Sequence, residues 1–172
     1  MPVKTLRAWL GLDREETTED APLRDTLEAL DHLEPRRARY LAAFAYLLGR
    51  VAHADQHVSP DETRAMESHV MHEGQISREQ AMLVVQLAKT SNLLFGGTAN
   101  FLVAREFSAL ASYDEKLSLM RCIFAVSATD DGISTSEESE IHRLGKELRI
   151  QHEDLVALRV QHRRHLPGMS RD

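Results

Sequence analysis

Two short acidic loops contain the side chains of this sequence with the clearest potential for chemistry. Asp55 follows an apolar stretch in the first loop, and Asp130 takes the same place 75 positions later in the second. Each loop leads into a serine and, three residues further on, a glutamate. Carboxylate, hydroxyl and carbonyl oxygens are the ligands that hard divalent cations such as calcium prefer. The two loops are therefore candidates for cation binding.

Helix capping explains the serines and glutamates without any ligand. Ser59 and Ser134 lie at predicted N-caps, where a hydroxyl accepts a hydrogen bond from an unpaired backbone N–H. Glu62 and Glu137 lie at the N3 positions, so each pair forms a capping box. These four residues by themselves predict two helix starts and nothing more.

The aspartates are not explained by capping. Asp55 and Asp130 lie at the C-terminal ends of predicted helices, where a negative charge opposes the helix dipole. Either the backbone N–H groups of the turn compensate the carboxylate, as in an Asx-turn, or a cation does so together with loop carbonyls and the capping glutamate. The loop does not fit an EF-hand, because placing Gly132 at the glycine position puts Ser127 at the first ligand position.

Each loop joins an apolar helix to an amphipathic helix, and the whole unit is present twice. The first copy runs from Val51 to Glu62 and the second from Val126 to Glu137. With a gap of one residue, the similarity continues beyond the second helix of each copy. The aligned pairs are Val51 and Val126, Asp55 and Asp130, Val58 and Ile133, Ser59 and Ser134, Glu62 and Glu137, Ile76 and Ile150, and Glu79 and Glu153.

The composition favours a fold made of helices. Aromatic residues make up only 5% of the 172 residues, alanine and leucine are plentiful, and no segment alternates apolar and polar residues for long. Two more capping boxes, at Ser77 and Ser112, mark further helix starts. We predict an all-α, single-domain bundle of about eight helices at 21–166, preceded by a short amphipathic helix and an acidic linker at 1–20 and followed by a flexible tail at 167–172.

Charge and hydropathy exclude several classes of protein. The formal net charge of −6 argues against binding to nucleic acid, whose phosphates need a basic surface. Gly49, Arg50 and His53 interrupt the longest apolar stretch, whereas a membrane span needs about 20 apolar residues. With no signal peptide visible, we expect a cytoplasmic protein. Cys122, the one cysteine, lies in an apolar stretch and is expected to be a buried, unreactive thiol.

The repeated unit resembles the hallmark of the TerB family, which includes the tellurite-resistance TerB proteins and the N-terminal region of the DjlA co-chaperones. That hallmark is Ala-x-x-Asp-Gly-x-Ile-Ser-x-x-Glu after an apolar helix, in two copies. The second copy here fits from Ser127 to Glu137, with serine in place of the usual alanine. The first copy, from Ala52 to Glu62, keeps the spacing of this motif but has Gln56 and His57 where the family often has Asp and Gly.

The resemblance covers roughly residues 36–165, and it implies an all-helical domain of about seven core helices that acts in stress response. It also implies protein partners, including a membrane-associated complex, and a divalent metal ion, with calcium the expected one. No DnaJ-type segment follows, which argues against a full co-chaperone. The implied metal ligands are Asp55 and Glu62 in the first copy, and Asp130, Asp131 and Glu137 in the second.

Two other functions remain as alternatives. The first is a structural protein–protein scaffold without metal, in which the acidic loops only cap helices. The second is an enzyme or transition-metal site built on histidines, since His53 and His57 are four residues apart and His69 and His72 are three apart. A helix break is predicted within the first pair, and no catalytic triad or phosphate loop is recognisable. We therefore predict a protein that is not an enzyme.

Overall fold

The computed structural model describes residue 25 and residues 28–52, 60–91, 97–128 and 132–162, and within these ranges every regular element is a helix. A helical segment at 28–31 precedes seven further helices, so the predicted all-α fold of about eight helices is confirmed. The helices are α1 (Pro35–Ala52), α2 (Pro60–Gly74), α3 (Arg78–Ser91), α4 (Gly97–Leu110), α5 (Tyr113–Ser127), α6 (Thr135–Glu147) and α7 (His152–Gln161).

Helix α1 is the centre of the bundle. All its residues from Tyr40 to Gly49 are buried, and it packs against α3, α4, α5 and α6. A helix that is apolar nearly all round has no face suited to water, so it must be covered on several sides. The apolar sequence of this helix therefore accounts for its central position.

An aromatic cluster fills the core between α1 and α4. The ring of Tyr40 stacks on that of Phe107 at 5.6 Å between centroids, and Phe44 meets Phe107 edge-on at 6.5 Å. The guanidinium of Arg37 lies 5.0 Å from the centroid of the Tyr40 ring. Burial raises the pKa of Tyr40 to about 12, because the phenolate would lose its hydration in the core. Tyr40 is therefore a neutral packing residue.

The duplicated units are interleaved in space. The two apolar helices, α1 and α5, contact each other, while α2 packs on α5 and α6 contacts both α1 and α5. The second helix of each copy thus lies against the first helix of the other copy. The repeat also extends past the second helix, because Gln75 and Arg149 take left-handed backbone conformations at equivalent positions, with φ of 53° and 59°.

The capping boxes differ in how completely they form. Ser112 and Glu115 form both hydrogen bonds of the predicted box, at 2.9 and 3.1 Å. Ser77 accepts a hydrogen bond from the backbone N–H of Gln80, but the Gln80 side chain does not return one. Its Oε1 instead accepts two hydrogen bonds from the guanidinium of Arg37, at 3.2 and 2.9 Å. The predicted reciprocal box at Ser77 is therefore only half formed.

The last helix, α7, is held on α5 by polar and aromatic contacts. The hydroxyl of Tyr113 donates a hydrogen bond to the carboxylate of Asp154 and accepts one from the backbone N–H of Gln151 at 3.1 Å. At the other end, the ring of His162 stacks on Phe124 at 5.3 Å between centroids. These contacts hold both ends of α7 against α5.

The described helices test two sequence predictions, the burial of Cys122 and the lack of a membrane span. Cys122 has no exposed surface, and burial raises the pKa of its thiol far above the usual range, so the expected buried thiol is confirmed. None of the described helices combines the length and the apolar character needed to cross a membrane. The division at residues 20 and 166 stays a prediction, and residues 1–20 and 167–172 lie outside the described ranges.

Substitution of Gly49 by alanine should destabilise the protein by about 1–3 kcal/mol, despite the higher helix propensity of alanine. A Cβ atom there would lie 2.9 Å from the backbone oxygen of Ala88, so α1 and α3 would have to separate. Gly145→Ala is the matched control, because its Cβ would meet only the flexible end of the Leu155 side chain, at 3.0 Å. Urea unfolding of both variants checks the prediction, and equal losses would contradict it.

Candidate functional site

The second acidic loop is the part of the predicted site that the structure describes best. Glu137 lies in the first turn of α6, and Gly132 and Ile133 connect the loop to that helix. Of the first copy, the structure describes the backbone of Glu62 within α2 but not its side chain. Three of the predicted ligands lie outside the described residues: Asp55, Asp130 and Asp131.

The helix after the second loop begins with a complete capping box. The hydroxyl of Ser134 accepts a hydrogen bond from the backbone N–H of Glu137 at 3.1 Å, and Glu137 Oε2 accepts one from the backbone N–H of Ser134 at 2.8 Å. This confirms the capping role predicted for both residues. The bond to Ser134 occupies one carboxylate oxygen, and Oε1 of Glu137 accepts no hydrogen bond from the described residues.

Gly132 and Ile133 define the end of the second loop. Gly132 has a φ of 101°, which an L-residue with a side chain rarely adopts. The next residue, Ile133, is 3% exposed and belongs to the core. A fixed turn and a buried apolar side chain therefore hold the point where the loop enters α6.

The start of the loop contains an unsatisfied polar atom. Ser127, the last residue of α5, is 5% exposed, and its hydroxyl oxygen has no hydrogen-bond partner among the described residues. Leaving a buried hydroxyl without a partner costs about 1–3 kcal/mol. An alanine at this place would avoid that cost.

The histidine hypothesis finds less support in the described residues. His69 is half-buried on α2, and desolvation lowers its pKa, so its imidazole is mostly neutral at pH 7. Yet no group of three or more His, Cys, Asp or Glu side chains that could hold a metal occurs in the ranges described above. His53 and His57 lie outside those ranges. The candidate site therefore remains the acidic loops.

An ion-pair network between the end of α1 and α6 was not predicted from the sequence. Arg50, in the last turn of α1, donates hydrogen bonds through Nε to Glu140 at 3.0 Å and through Nη1 and Nη2 to Glu147 at 2.9 and 3.1 Å. Its side chain is only 6% exposed. Both glutamates lie on α6, so this network ties the end of the first apolar helix to the second copy. An arginine in an apolar stretch was the only available signal.

Comparison with known proteins assigns the chain to a family. A family model described as tellurite resistance protein TerB matches residues 40–160, which is well over half of the chain and includes both loops. Neither the curated proteins nor the solved structures gave a match. The match begins in α1, ends in α7 and so contains the interleaved repeat, which makes this all-helical chain a member of the TerB family.

Proposed function

We propose that this tellurite-resistance-type module binds one divalent cation at its second acidic loop and acts in stress response through protein partners. The observation that carries the proposal is a pair of oxygens on the two sides of that loop that have no hydrogen-bond partner among the described residues. Ser127 contributes a buried hydroxyl and Glu137 a partly exposed carboxylate oxygen, Oε1. Asp130 and Asp131 lie between them in the chain.

The chemistry of these donors selects the ion. Hydroxyl and carboxylate oxygens, with no sulfur or imidazole among them, suit calcium or magnesium better than zinc or copper. Calcium is the expected ion, because it accepts irregular coordination by loop oxygens. When bound, it would compensate the carboxylates of Asp130 and Asp131 near the negative end of the α5 dipole.

The first loop is expected to bind a cation more weakly. Its predicted ligands are Asp55 and Glu62, while Gln56 and His57 replace the Asp-Gly pair of the second loop. Fewer carboxylates mean a smaller electrostatic attraction for a divalent ion. A single dominant site per chain is therefore proposed.

The proposed role is binding rather than catalysis. TerB domains form a helical, non-catalytic family, and we infer that this chain likewise acts through other proteins, including a membrane-associated complex. The purely structural scaffold differs from this proposal in one measurable respect, which is the absence of any effect of divalent ions.

Calcium should raise the melting temperature of the wild-type protein, and Asp130→Ala should abolish the increase. A ligand at about 100 times its Kd stabilises the folded state by about 2.7 kcal/mol. Differential scanning calorimetry of metal-free protein, with calcium or magnesium added back, measures the shift.

Asp114→Ala is the matched control, since Asp114 is exposed in the first turn of α5 and lies at the opposite end of that helix from the loop. It should keep the full calcium effect. The metal site would be contradicted if neither ion changed the melting temperature of the wild type, or if calcium raised that of Asp130→Ala by the same amount.

A further inference from the structure

A basic pocket lies between α4, the first turn of α5 and the C-terminal end of α6. Its volume is about 560 Å³. Helix α4 contributes Arg105 and Ser108, flanked by two alanines, and α5 contributes Lys116. Glu147 and Arg149 come from the end of α6 and the turn that follows it. The pocket therefore has three cationic side chains and one carboxylate in its lining.

The carboxylate does not neutralise these cations. Both oxygens of Glu147 accept hydrogen bonds from Arg50, at 2.9 and 3.1 Å, so this carboxylate is paired from the side of α1, where Arg50 also binds Glu140. Arg105, Lys116 and Arg149 have no side-chain hydrogen bond or ion pair with other residues of the described ranges. The pocket is thus locally positive in a chain whose formal net charge is −6.

The backbone at Arg149 is unfavourable for an arginine. Its φ of 59° lies in the left-handed region, where glycine is the usual residue after a helix. The turn is closed by the hydrogen bonds of a helix C-terminus, from Ile150 N to Gly145 O and from Arg149 N to Lys146 O, both at 3.0 Å. A glycine would form the same turn with less strain, but it would not place a guanidinium at the pocket.

We propose that this pocket binds a small molecule that carries a phosphate group. Two guanidinium groups and an ammonium group around a concave surface match the charge and the hydrogen-bond acceptors of a phosphate. The hydroxyl of Ser108 adds a further donor. A volume of about 560 Å³ is typical of small-molecule sites, and the overall negative charge argues against a nucleic-acid chain as the occupant.

Titration of the intact protein with inorganic pyrophosphate, in buffer without divalent ions, tests the pocket independently of the cation site. Isothermal titration calorimetry should give saturable 1:1 binding to the wild-type protein. Arg149→Gly should weaken this binding about tenfold, the usual effect of losing one charge-assisted contact. The same variant should melt at a higher temperature, because glycine relieves the left-handed strain.

Gln75→Gly is the matched control for Arg149→Gly. Gln75 has a φ of 53° at the equivalent turn of the first copy and does not line the pocket. It should raise the melting temperature in the same way and leave pyrophosphate binding unchanged. Opposite effects of Arg149→Gly on stability and affinity would support the site, whereas equal affinities of the two variants would overturn it.

Removing single positive charges inside and outside the pocket distinguishes a specific binding site from nonspecific electrostatic attraction of pyrophosphate to the protein surface. Arg105→Gln and Lys116→Gln should each weaken pyrophosphate binding about tenfold. Arg143→Gln should not, because its side chain is 67% exposed and Arg143 lies outside the pocket lining. Absence of saturable binding, or an equal loss in Arg143→Gln, would overturn the proposal.

Discussion

Replacement of Arg50 by alanine should lower the free energy of unfolding by about 3 kcal/mol, the lower end of the range for breaking a buried ion pair. The guanidinium is almost inaccessible to water, and it holds Glu140 and Glu147 together on the face of α6 that meets α1. Without it, two carboxylates would repel each other beside an apolar cavity. Because they keep 29% and 20% of their side-chain exposure, partial rehydration limits the loss.

Arg143→Ala is the control for this prediction, because Arg143 pairs with the same acceptor. Its Nη1 lies 3.1 Å from Oε1 of Glu140, but its side chain is 67% exposed. Exposed ion pairs contribute about 0–1 kcal/mol, so this variant should unfold almost like the wild type. Chemical denaturation measures both free energies, and similar losses would show that burial of Arg50 has no energetic consequence.

Phe107→Ala should destabilise the protein by about 3–5 kcal/mol. Phe107 has no exposed surface, and its ring contacts both Tyr40 and Phe44 across the boundary between α1 and α4. Truncation removes both ring contacts and leaves a cavity in the centre of the bundle, where the surrounding helices cannot close it.

Phe107→Leu keeps most of the side-chain volume and should cost clearly less than Phe107→Ala. Thermal and urea unfolding distinguish the two variants. If the alanine variant lost no more stability than the leucine variant, the aromatic cluster would not be a tightly packed part of the core.

The sequence predicts local features of this fold well, because local features depend on neighbouring residues. The apolar run of α1 requires a central helix, and the Ser-x-x-Glu pairs at Ser112 and Ser134 form the predicted capping boxes. Gly132 has a positive φ of 101°, which glycine adopts at little cost. Each of these follows from contacts within a few residues of the chain.

Contacts between distant residues account for what the sequence did not predict. Gln80 forms only half of a capping box because Arg37, 43 positions earlier, takes its side-chain oxygen. Arg50 finds its partners 90 and 97 positions away, which no local pattern reveals. The three cations of the proposed phosphate pocket likewise come from α4, α5 and the turn after α6.

The candidate metal site likewise contains local features that the sequence predicts and a tertiary feature that it does not. Its serine and glutamate were predictable as caps, and the structure confirms them. The lack of a partner for the Ser127 hydroxyl within the described residues was not predictable, because a serine in the sequence does not show which hydrogen bonds its hydroxyl forms in the fold. The alternative that Asp130 only closes an Asx-turn stays a prediction, as does the cation.

The interleaving of α2 on α5 and of α6 on α1 means that the duplication cannot be cut into two domains. A fragment with α1, α2 and α3 alone would expose the faces of α1 and α2 that α5 covers in the whole chain, and a fragment with α5 to α7 would expose their counterparts. Each half supplies the apolar surface that the other half lacks. The two copies therefore share one cooperative unit, and a chain divided after α3 should regain its structure only when both pieces are present.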